Sequence, residues 1–135
     1  MRNLKLIGLS ILLLVSTTNI AFCSDNMYNQ QIKYYSNMKT CTKGTFLLWH
    51  SNLKLGTQKV DVGMTYYIYG VQNGKCHIRE HLGSSDMHCY LPMNTAKKYA
   101  SEGIQMINAS VKNGSAYSPY INQIDNDDNY CKYKY

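Results

Sequence analysis

Three histidines, His77, His81 and His88, are the side chains in this sequence best suited to chemistry, and cysteines adjoin two of them. Imidazole and thiolate groups bind zinc, and together they form nucleophile–base pairs. His77 and His81 are four residues apart, about 13 Å along a strand, which is too far for one shared ion. In Cys76-His77 and His88-Cys89 the two neighbours face opposite sides of a strand, so neither pair can form a catalytic hydrogen bond. We therefore predict neither a metal site nor a nucleophile here.

Other patterns typical of catalysis or metal binding are also weak. The hydrolase motifs G-x-S-x-G and H-E-x-x-H do not occur in the sequence. The acidic run at residues 125–129 resembles the opening of a calcium loop, but Tyr130 stands where that loop requires glycine. The run is therefore interpreted as a solvated turn before Cys131. We predict a protein that is not an enzyme and that has no cofactor.

The N-terminus has the pattern of a secretory signal peptide, which we assign to residues 1–23. Basic residues precede an apolar run at residues 6–15, and Ala21 and Cys23 fit a cleavage site. A membrane-spanning helix needs ~20 apolar residues, so we expect no transmembrane segment after cleavage. Phe22 argues against lipid anchoring through Cys23, since bacterial lipoprotein signals place a small residue there. The predicted location is periplasmic or secreted.

Cleavage would leave four cysteines, Cys41, Cys76, Cys89 and Cys131, in a single small domain at residues 24–135. An even number in a short exported domain predicts two disulfides with three possible connectivities. Cys76 and Cys89 would bridge each other if the turn between their strands is tight, leaving Cys41 for Cys131. The connectivity stays open at this level.

Charge limits the choice of partners. The formal net charge is +6 at pH 7, and two of the cations belong to the signal segment. The remaining Lys and Arg residues are scattered, and no nucleic-acid-binding motif is present, so nucleic acid is excluded as a partner. A mild positive charge suits an anionic envelope polymer or an acidic protein.

Two helices are predicted to frame the domain. Residues 24–38 have apolar side chains at helical spacing, with Ser24 or Asp25 available as a cap. A second helix begins at Asn94 and ends at Asn113-Gly114. Its apolar stripe, which should pack on a sheet, comprises Ala96, Tyr99, Ala100, Gly103, Ile104, Ile107 and Val111.

An antiparallel sheet of three to four strands is predicted between these helices. Residues 64–72 and 75–82 flank Asn73-Gly74, the pair preferred in two-residue type I′ hairpins. Residues 44–50 and 86–91 supply further strands. The chain is therefore an α+β protein with an N-terminal helix, a central sheet and a C-terminal helix packed on that sheet.

The hairpin turn also predicts which side chains share a face. If Gln72 lies opposite Lys75, then Tyr67, Tyr69 and Ile78 point into the core. An antiparallel sheet covered on one side exposes its other side. The residues predicted for this exposed, partner-binding face are Tyr66, His77, Arg79, His81, His88 and Tyr90.

Four segments carry a resemblance to a known group: Cys41-Thr-Lys-Gly-Thr-Phe46, Tyr66-Tyr-Ile-Tyr-Gly70, Asn73-Gly-Lys-Cys-His77 and Cys89-Tyr-Leu-Pro92. In these segments the chain resembles small, uncharacterised exported proteins of Gram-negative intracellular bacteria that contain disulfides. That group has no established activity, and the resemblance implies no site residues. It implies a periplasmic location and a role in envelope integrity or in virulence through host interaction.

The function expected from the sequence is non-catalytic binding of a cell-wall polymer or an envelope protein through the exposed Tyr/His/Arg face. The alternative is a secreted inhibitor of a host or competitor hydrolase, such as a lysozyme or a protease. In that case residues 51–63, which suit either a loop or an edge strand, would enter the target. Oligomeric state does not follow from the sequence.

Overall fold

The computed structural model describes residues 27–113 and 117–134, so the predicted signal segment lies outside the described residues. Helix α1 covers residues 27–40. The sheet consists of β1 (Gly44–Leu55), β2 (Gln58–Gln72), β3 (Lys75–Leu82), β4 (Ser85–Pro92) and β5 (Cys131–Lys134). Helices α2 (Met93–Asn113) and α3 (Pro119–Asp125) lie between β4 and β5 in the sequence. The α+β class and the two framing helices are confirmed.

The sheet has five antiparallel strands in sequence order, one more than the largest number predicted. The additional strand is β5, a four-residue strand that pairs with β4 from Asp86↔Lys134 to Cys89↔Cys131. The short helix α3 was also not predicted. It begins after Ser118, whose hydroxyl accepts a hydrogen bond from the amide of Ile121, and it has proline at its first position.

The Asn-Gly hairpin forms as predicted. Asn73 and Gly74 both have positive φ angles, 51° and 76°, and Gln72 lies opposite Lys75. The next turn is equally tight, because Leu82 lies opposite Ser85 and Gly83 has a φ of 58°. These two turns set the registers of β2 against β3 and of β3 against β4, next to each turn.

A β-bulge at Tyr69 changes the register of β2 against β3. Gly70 lies opposite His77, but the next pair is Ile68↔Ile78, so Tyr69 is an extra residue. Gly70 has a φ of 95°, a conformation that other residues rarely adopt. Because side chains alternate along a strand, one extra residue moves every earlier side chain of β2 to the opposite face.

Two disulfides are present, Cys41–Cys76 and Cys89–Cys131. The suggested Cys76–Cys89 bridge is wrong, although the turn between their strands is tight. Cys76 lies opposite Leu91, and Cys89 lies opposite Ile78, so the two cysteines are diagonal neighbours. The actual bridges instead join the end of α1 to β3 and β4 to β5.

Residues 51–55 and 58–63 lie in strands β1 and β2, and a turn at residues 56–57 joins them, so this segment is a hairpin and not a loop. β1 and β2 remain paired up to Leu55↔Gln58, with a register shift between His50 and Leu53. Pairing between β2 and β3 begins only at Thr65↔His81. The end of the β1–β2 hairpin therefore pairs with neither β3 nor any later strand.

The core lies between one face of the sheet and the helices. It joins Ile68, Ile78 and Cys89 of the sheet to Met38 of α1 and Tyr99 of α2. The predicted stripe of α2 is buried at Ala96, Tyr99, Ala100 and Gly103, whereas Val111 at its end is 69% exposed. No helix among the described residues is long and apolar enough to cross a membrane.

Candidate functional site

The face of the sheet opposite the core has no helix packed on it among residues 27–113 and 117–134. We call it the open face. The register places on it Thr45, Leu47, Thr65, Tyr67, Tyr69, His77, Arg79, His81, Asp86, His88, Tyr90, Lys132 and Lys134. Five of the six predicted binding residues lie here, and the sixth, Tyr66, does not.

The assignment of Tyr66 to the exposed face is wrong because of the β-bulge. Tyr66 lies opposite Glu80 on the core side, is 7% exposed and contacts the Tyr34 ring at a centroid distance of 4.9 Å. Tyr67 and Tyr69 occupy the open face instead. Their rings stack at 5.9 Å, with an angle of 7° between the ring planes. The open face therefore contains three tyrosines.

A cluster of rings centres on His77, with the Tyr90 ring stacked on it and the Tyr69 ring tilted by 31°. Its imidazole lies 4.2 Å from the Tyr90 ring and 4.6 Å from the Tyr69 ring, measured between centroids. These neighbours leave His77 only 8% exposed, so it is not the exposed histidine that the sequence predicted. Tyr90 remains 39% exposed and offers its outer surface to a ligand.

His77 is also joined to His88. Nε2 of His77 and Nδ1 of His88 are 3.1 Å apart, so one ring donates a hydrogen bond to the other. Burial and His88 lower the pKa of His77, while burial and then Lys134 and Arg79 lower the pKa of His88. Both shifts favour the neutral form of the rings. Nδ1 of His77 is buried without a hydrogen-bond partner among the described residues.

Arg79 is held by Asp86. Nε and one terminal nitrogen of Arg79 donate to the two carboxylate oxygens at 2.8 and 2.9 Å, and His81 Nδ1 lies 2.7 Å from Oδ1. These contacts lower the pKa of Asp86 to about 2. The guanidinium also lies 5.2 Å from the centre of the Tyr67 ring. Arg79 thus already has a carboxylate partner, and its main effect is to fix the neighbouring rings in place.

A polar groove adjoins the open face beside Tyr90. Its volume is about 510 Å³, and Tyr90 forms one wall. The remaining lining residues are Gln72, Asn73, Lys75, Asp128, Asn129, Tyr130 and Lys132. Amide, hydroxyl, ammonium and carboxylate groups next to an aromatic ring suit a polar ligand with flat apolar surfaces.

Neither cysteine–histidine pair has a free thiol, because Cys76 and Cys89 are both in disulfides. One further group of potential metal ligands among the described residues comprises Cys89, Asp125 and Cys131, within 4.8 Å of one another. Cys89 and Cys131 are bonded to each other, so they have no thiolate to offer. This group does not fit a metal ion.

A second candidate site lies on the core side of the sheet, where Glu80 and Asp125 both line two cavities. The Tyr99 hydroxyl donates to Asp125 at 2.8 Å, and the Tyr34 hydroxyl donates to Glu80 at 3.5 Å. Burial and Asp125 raise the pKa of Glu80 to about 8, and burial raises the pKa of Asp125 to about 6. Asp125 is therefore not part of the solvated turn that the sequence predicted.

We expect Glu80→Gln to make the protein more stable than the parent at pH 8, with a smaller difference at pH 5. Glu80 has a folded pKa of about 8 against 4.5 ordinarily. Between these values the folded state keeps a proton that the unfolded state releases, so stability falls as pH rises. The limiting slope is about 1.4 kcal/mol per pH unit, and residual solvent access makes it smaller. Urea unfolding from pH 5 to 9 measures this difference.

The matched control is Asp128→Asn, which removes an exposed carboxylate and should leave the slope unchanged. A difference between Glu80→Gln and the parent that stays constant with pH would contradict the titration of Glu80 in this range.

Sequence reasoning missed several members of these sites. Tyr67 and Tyr69 were placed in the core, although Gly70 carried a signal, since a glycine inside a strand often marks a bulge. Lys132 and Lys134 were missed because β5 was not predicted. Nothing in the sequence indicated that Asp125 would join Glu80 on the core side of the sheet.

Comparisons of the chain with protein-family models, with curated proteins and with solved structures found no match. The basis for a proposed function is therefore the geometry of the open face and of the groove beside it.

Proposed function

We propose that this protein is an exported, non-catalytic binding protein whose open face and adjoining groove contact a cell-wall polymer of the bacterial envelope. The observation that carries the proposal is the ring cluster of Tyr69, His77 and Tyr90 beside the polar groove. Rings that are already fixed lose little conformational freedom when a ligand binds.

Hydrogen bonding and packing hold this surface rigid. Arg79 links β3 to Asp86 on β4 and approaches the hydroxyl of Tyr69 on β2 at 3.5 Å. His77 and His88 add a second link between β3 and β4. A sheet face that is cross-linked in this way and that no helix covers among the described residues suits an extended polymer better than a small ligand that must be enclosed.

The charge of the open face favours an anionic polymer. Arg79, Lys132 and Lys134 contribute positive charges, and Asp86 contributes one negative charge. Lys75 adds another cation in the groove, where Asp128 is the carboxylate. Cell-wall polymers combine carboxylates with sugar rings, which stack well on tyrosine. The positive charge would also speed the first encounter.

Two disulfides support the exported location, because such bonds persist mainly in oxidising compartments outside the cytoplasm. Together with the signal pattern of the sequence, they favour the periplasm or the exterior. The proposed ligand is present in that location.

The decisive experiment is co-sedimentation of the oxidised protein with purified cell-wall sacculi. We expect the double variant Tyr90→Ala/Lys132→Ala to bind at least about 30-fold more weakly, since truncating a central contact costs about 2 kcal/mol or more. Tyr90 forms a wall of the groove, and Lys132 lies beside it. The melting temperature should change by no more than a few degrees, because both side chains are exposed.

The matched control is Tyr117→Ala/Lys112→Ala, which removes the same two residue types from exposed positions that do not line the groove. It should bind like the parent. Equal losses in both double variants would indicate non-specific attraction and contradict the proposal.

The hairpin of β1 and β2 supports a second candidate, an inhibitor of a hydrolase. Its end extends beyond the pairing with β3, and Gly56, Thr57 and Gln58 at the tip are exposed. A projecting hairpin of this kind suits insertion into a cleft. A parent protein that fails to sediment with sacculi but inhibits a lysozyme or a protease would favour this candidate.

A further inference from the structure

The two cavities on the core side share their two acidic residues. The inner cavity, of about 180 Å³, and the outer one, of about 220 Å³, are both lined by Glu80 and Asp125. The outer cavity also touches Ser85 of β4 and Tyr133 of β5, and Tyr133 is 47% exposed. Glu80 and Asp125 therefore lie where the two cavities adjoin.

Among the described residues, neither Glu80 nor Asp125 forms a salt bridge with a basic side chain. Salt bridges among the described residues involve Arg79, His81 and Asp86, all on the open face. Glu80 and Asp125 instead accept hydrogen bonds from the hydroxyls of Tyr34 and Tyr99, which are neutral donors. A buried carboxylate is costly to ionise unless a positive charge lies beside it.

Apart from the amide of Gln31, the rest of the inner cavity is aromatic and aliphatic. Tyrosine rings line it at Tyr35, Tyr66 and Tyr99, and aliphatic side chains include Met106 and Ile107. Ring faces attract cations, and aliphatic walls favour an uncharged hydrocarbon body. An apolar protein cavity of about 150 Å³ holds a benzene molecule, so this one accommodates a ligand of similar size.

From the cavity and its lining, we infer that the Glu80–Asp125 cavity binds a small primary alkylammonium group, either as a free amine or as a lysyl side chain. The ammonium lies between the two carboxylates, and the alkyl chain extends along the rings of Tyr35 and Tyr99. This site is on the opposite side of the sheet from the open face and does not rest on the proposed function.

Binding is coupled to protons. With its pKa raised to about 8, Glu80 is mostly protonated at pH 7, so an entering ammonium displaces a proton from it. Apparent affinity therefore increases between pH 6 and pH 8.5. The titratable groups that face Glu80 are Tyr34 and Tyr35 of α1, Tyr66 of β2, Tyr99 of α2 and Asp125 of α3, with Tyr133 of β5 across the outer cavity.

The test is isothermal titration of the oxidised protein with n-butylammonium chloride at pH 7, in two buffers that differ in ionisation enthalpy. We expect a Kd on the order of 1 mM, as for other small ligands, and release of close to one proton per bound amine. Methyl resonances of Met106 and Ile107 should shift in NMR spectra, because both side chains line the cavity. Absence of binding, or binding without proton release, would overturn the inference.

Two variants and one neutral ligand distinguish binding at this site from non-specific electrostatic attraction. Glu80→Gln/Asp125→Asn keeps the shape of both side chains and should weaken binding at least about 10-fold. Because Glu80 is mostly protonated at pH 7, the matched control is Asp127→Asn, which removes one carboxylate outside both cavities and should bind like the parent. Equal losses in both variants, or equal binding of neutral n-butanol, would refute a cation site.

The source of the ammonium is distinguished with Nα-acetyl-lysine methylamide. Binding comparable to that of n-butylammonium supports entry of a lysyl side chain through the outer cavity. Binding of n-butylammonium alone supports a free amine.

Discussion

The double variant Cys89→Ala/Cys131→Ala is expected to lose about 4 kcal/mol of unfolding free energy. The bond closes a loop across a sequence separation of 42 residues, and the entropy released to the unfolded chain by opening a loop of this size has that magnitude. Both cysteines are almost completely buried, so truncation also leaves a void. Urea unfolding of the parent and the variant at pH 7 measures the loss.

The control is Cys41→Ala/Cys76→Ala, which opens a loop of similar length, with a separation of 35 residues. Both variants should lose similar stability, but their hydrogen exchange should differ. Only the Cys89/Cys131 variant should expose the amides of β5 and α3, because β5 pairs with β4 alone. A loss below about 1 kcal/mol, or protection of β5 equal to that of the parent, would contradict this role of the bond.

The central hairpin shows what short-range chemistry can predict. Asn73-Gly74 needs two positive φ angles, so the turn type and the pairing of Gln72 with Lys75 follow from two residues. The turn between β3 and β4 also has two residues, so the side chains of β3 and β4 that share a face follow as well. For this reason His77, Arg79, His81, His88 and Tyr90 share one face, as the sequence predicted.

The bulge shows where that argument fails. An extra residue at Tyr69 exchanges the faces of Tyr66 and Tyr67, although the turn a few residues away is correct. Whether a glycine in a strand forms a bulge depends on which side chains the core can accommodate. Tyr66 packs on Tyr34, and Ile68 is buried opposite Ile78, which are tertiary contacts that no local pattern specifies.

The pairing of Glu80 with Asp125 could not be predicted from the sequence for a related reason. Glu80 comes from β3 and Asp125 from the end of α3, a helix of seven residues. The Tyr99–Asp125 hydrogen bond joins α3 to α2, and the Cys89–Cys131 bond holds the strand that follows. Asp125 therefore reaches Glu80 through long-range contacts, whereas its sequence neighbours are typical of a solvated turn.

Gly103→Ala is expected to destabilise the protein by roughly 2 kcal/mol, although alanine is the better helix former by about 1 kcal/mol. An added Cβ would lie less than 3.0 Å from three ring carbons of Tyr35. The Tyr35 ring is 8% exposed and lies between Tyr34 and Tyr99, at centroid distances of 5.0 and 6.4 Å. The ring cannot move away without displacing its neighbours. Thermal and urea unfolding measure the effect.

Two comparisons make this prediction specific to the contact with Tyr35. Gln105→Ala, at an exposed position of the same helix, should change stability by less than about 0.5 kcal/mol. In a Tyr35→Leu background, the smaller side chain leaves room for the methyl group, so Gly103→Ala should cost little or become favourable. The double-mutant cycle then gives a coupling energy of about 2 kcal/mol. If Gly103→Ala stabilises the parent protein, or if the cycle shows no coupling, helix α2 does not pack on Tyr35 as closely as the structure has it, and the inner cavity loses one of its walls.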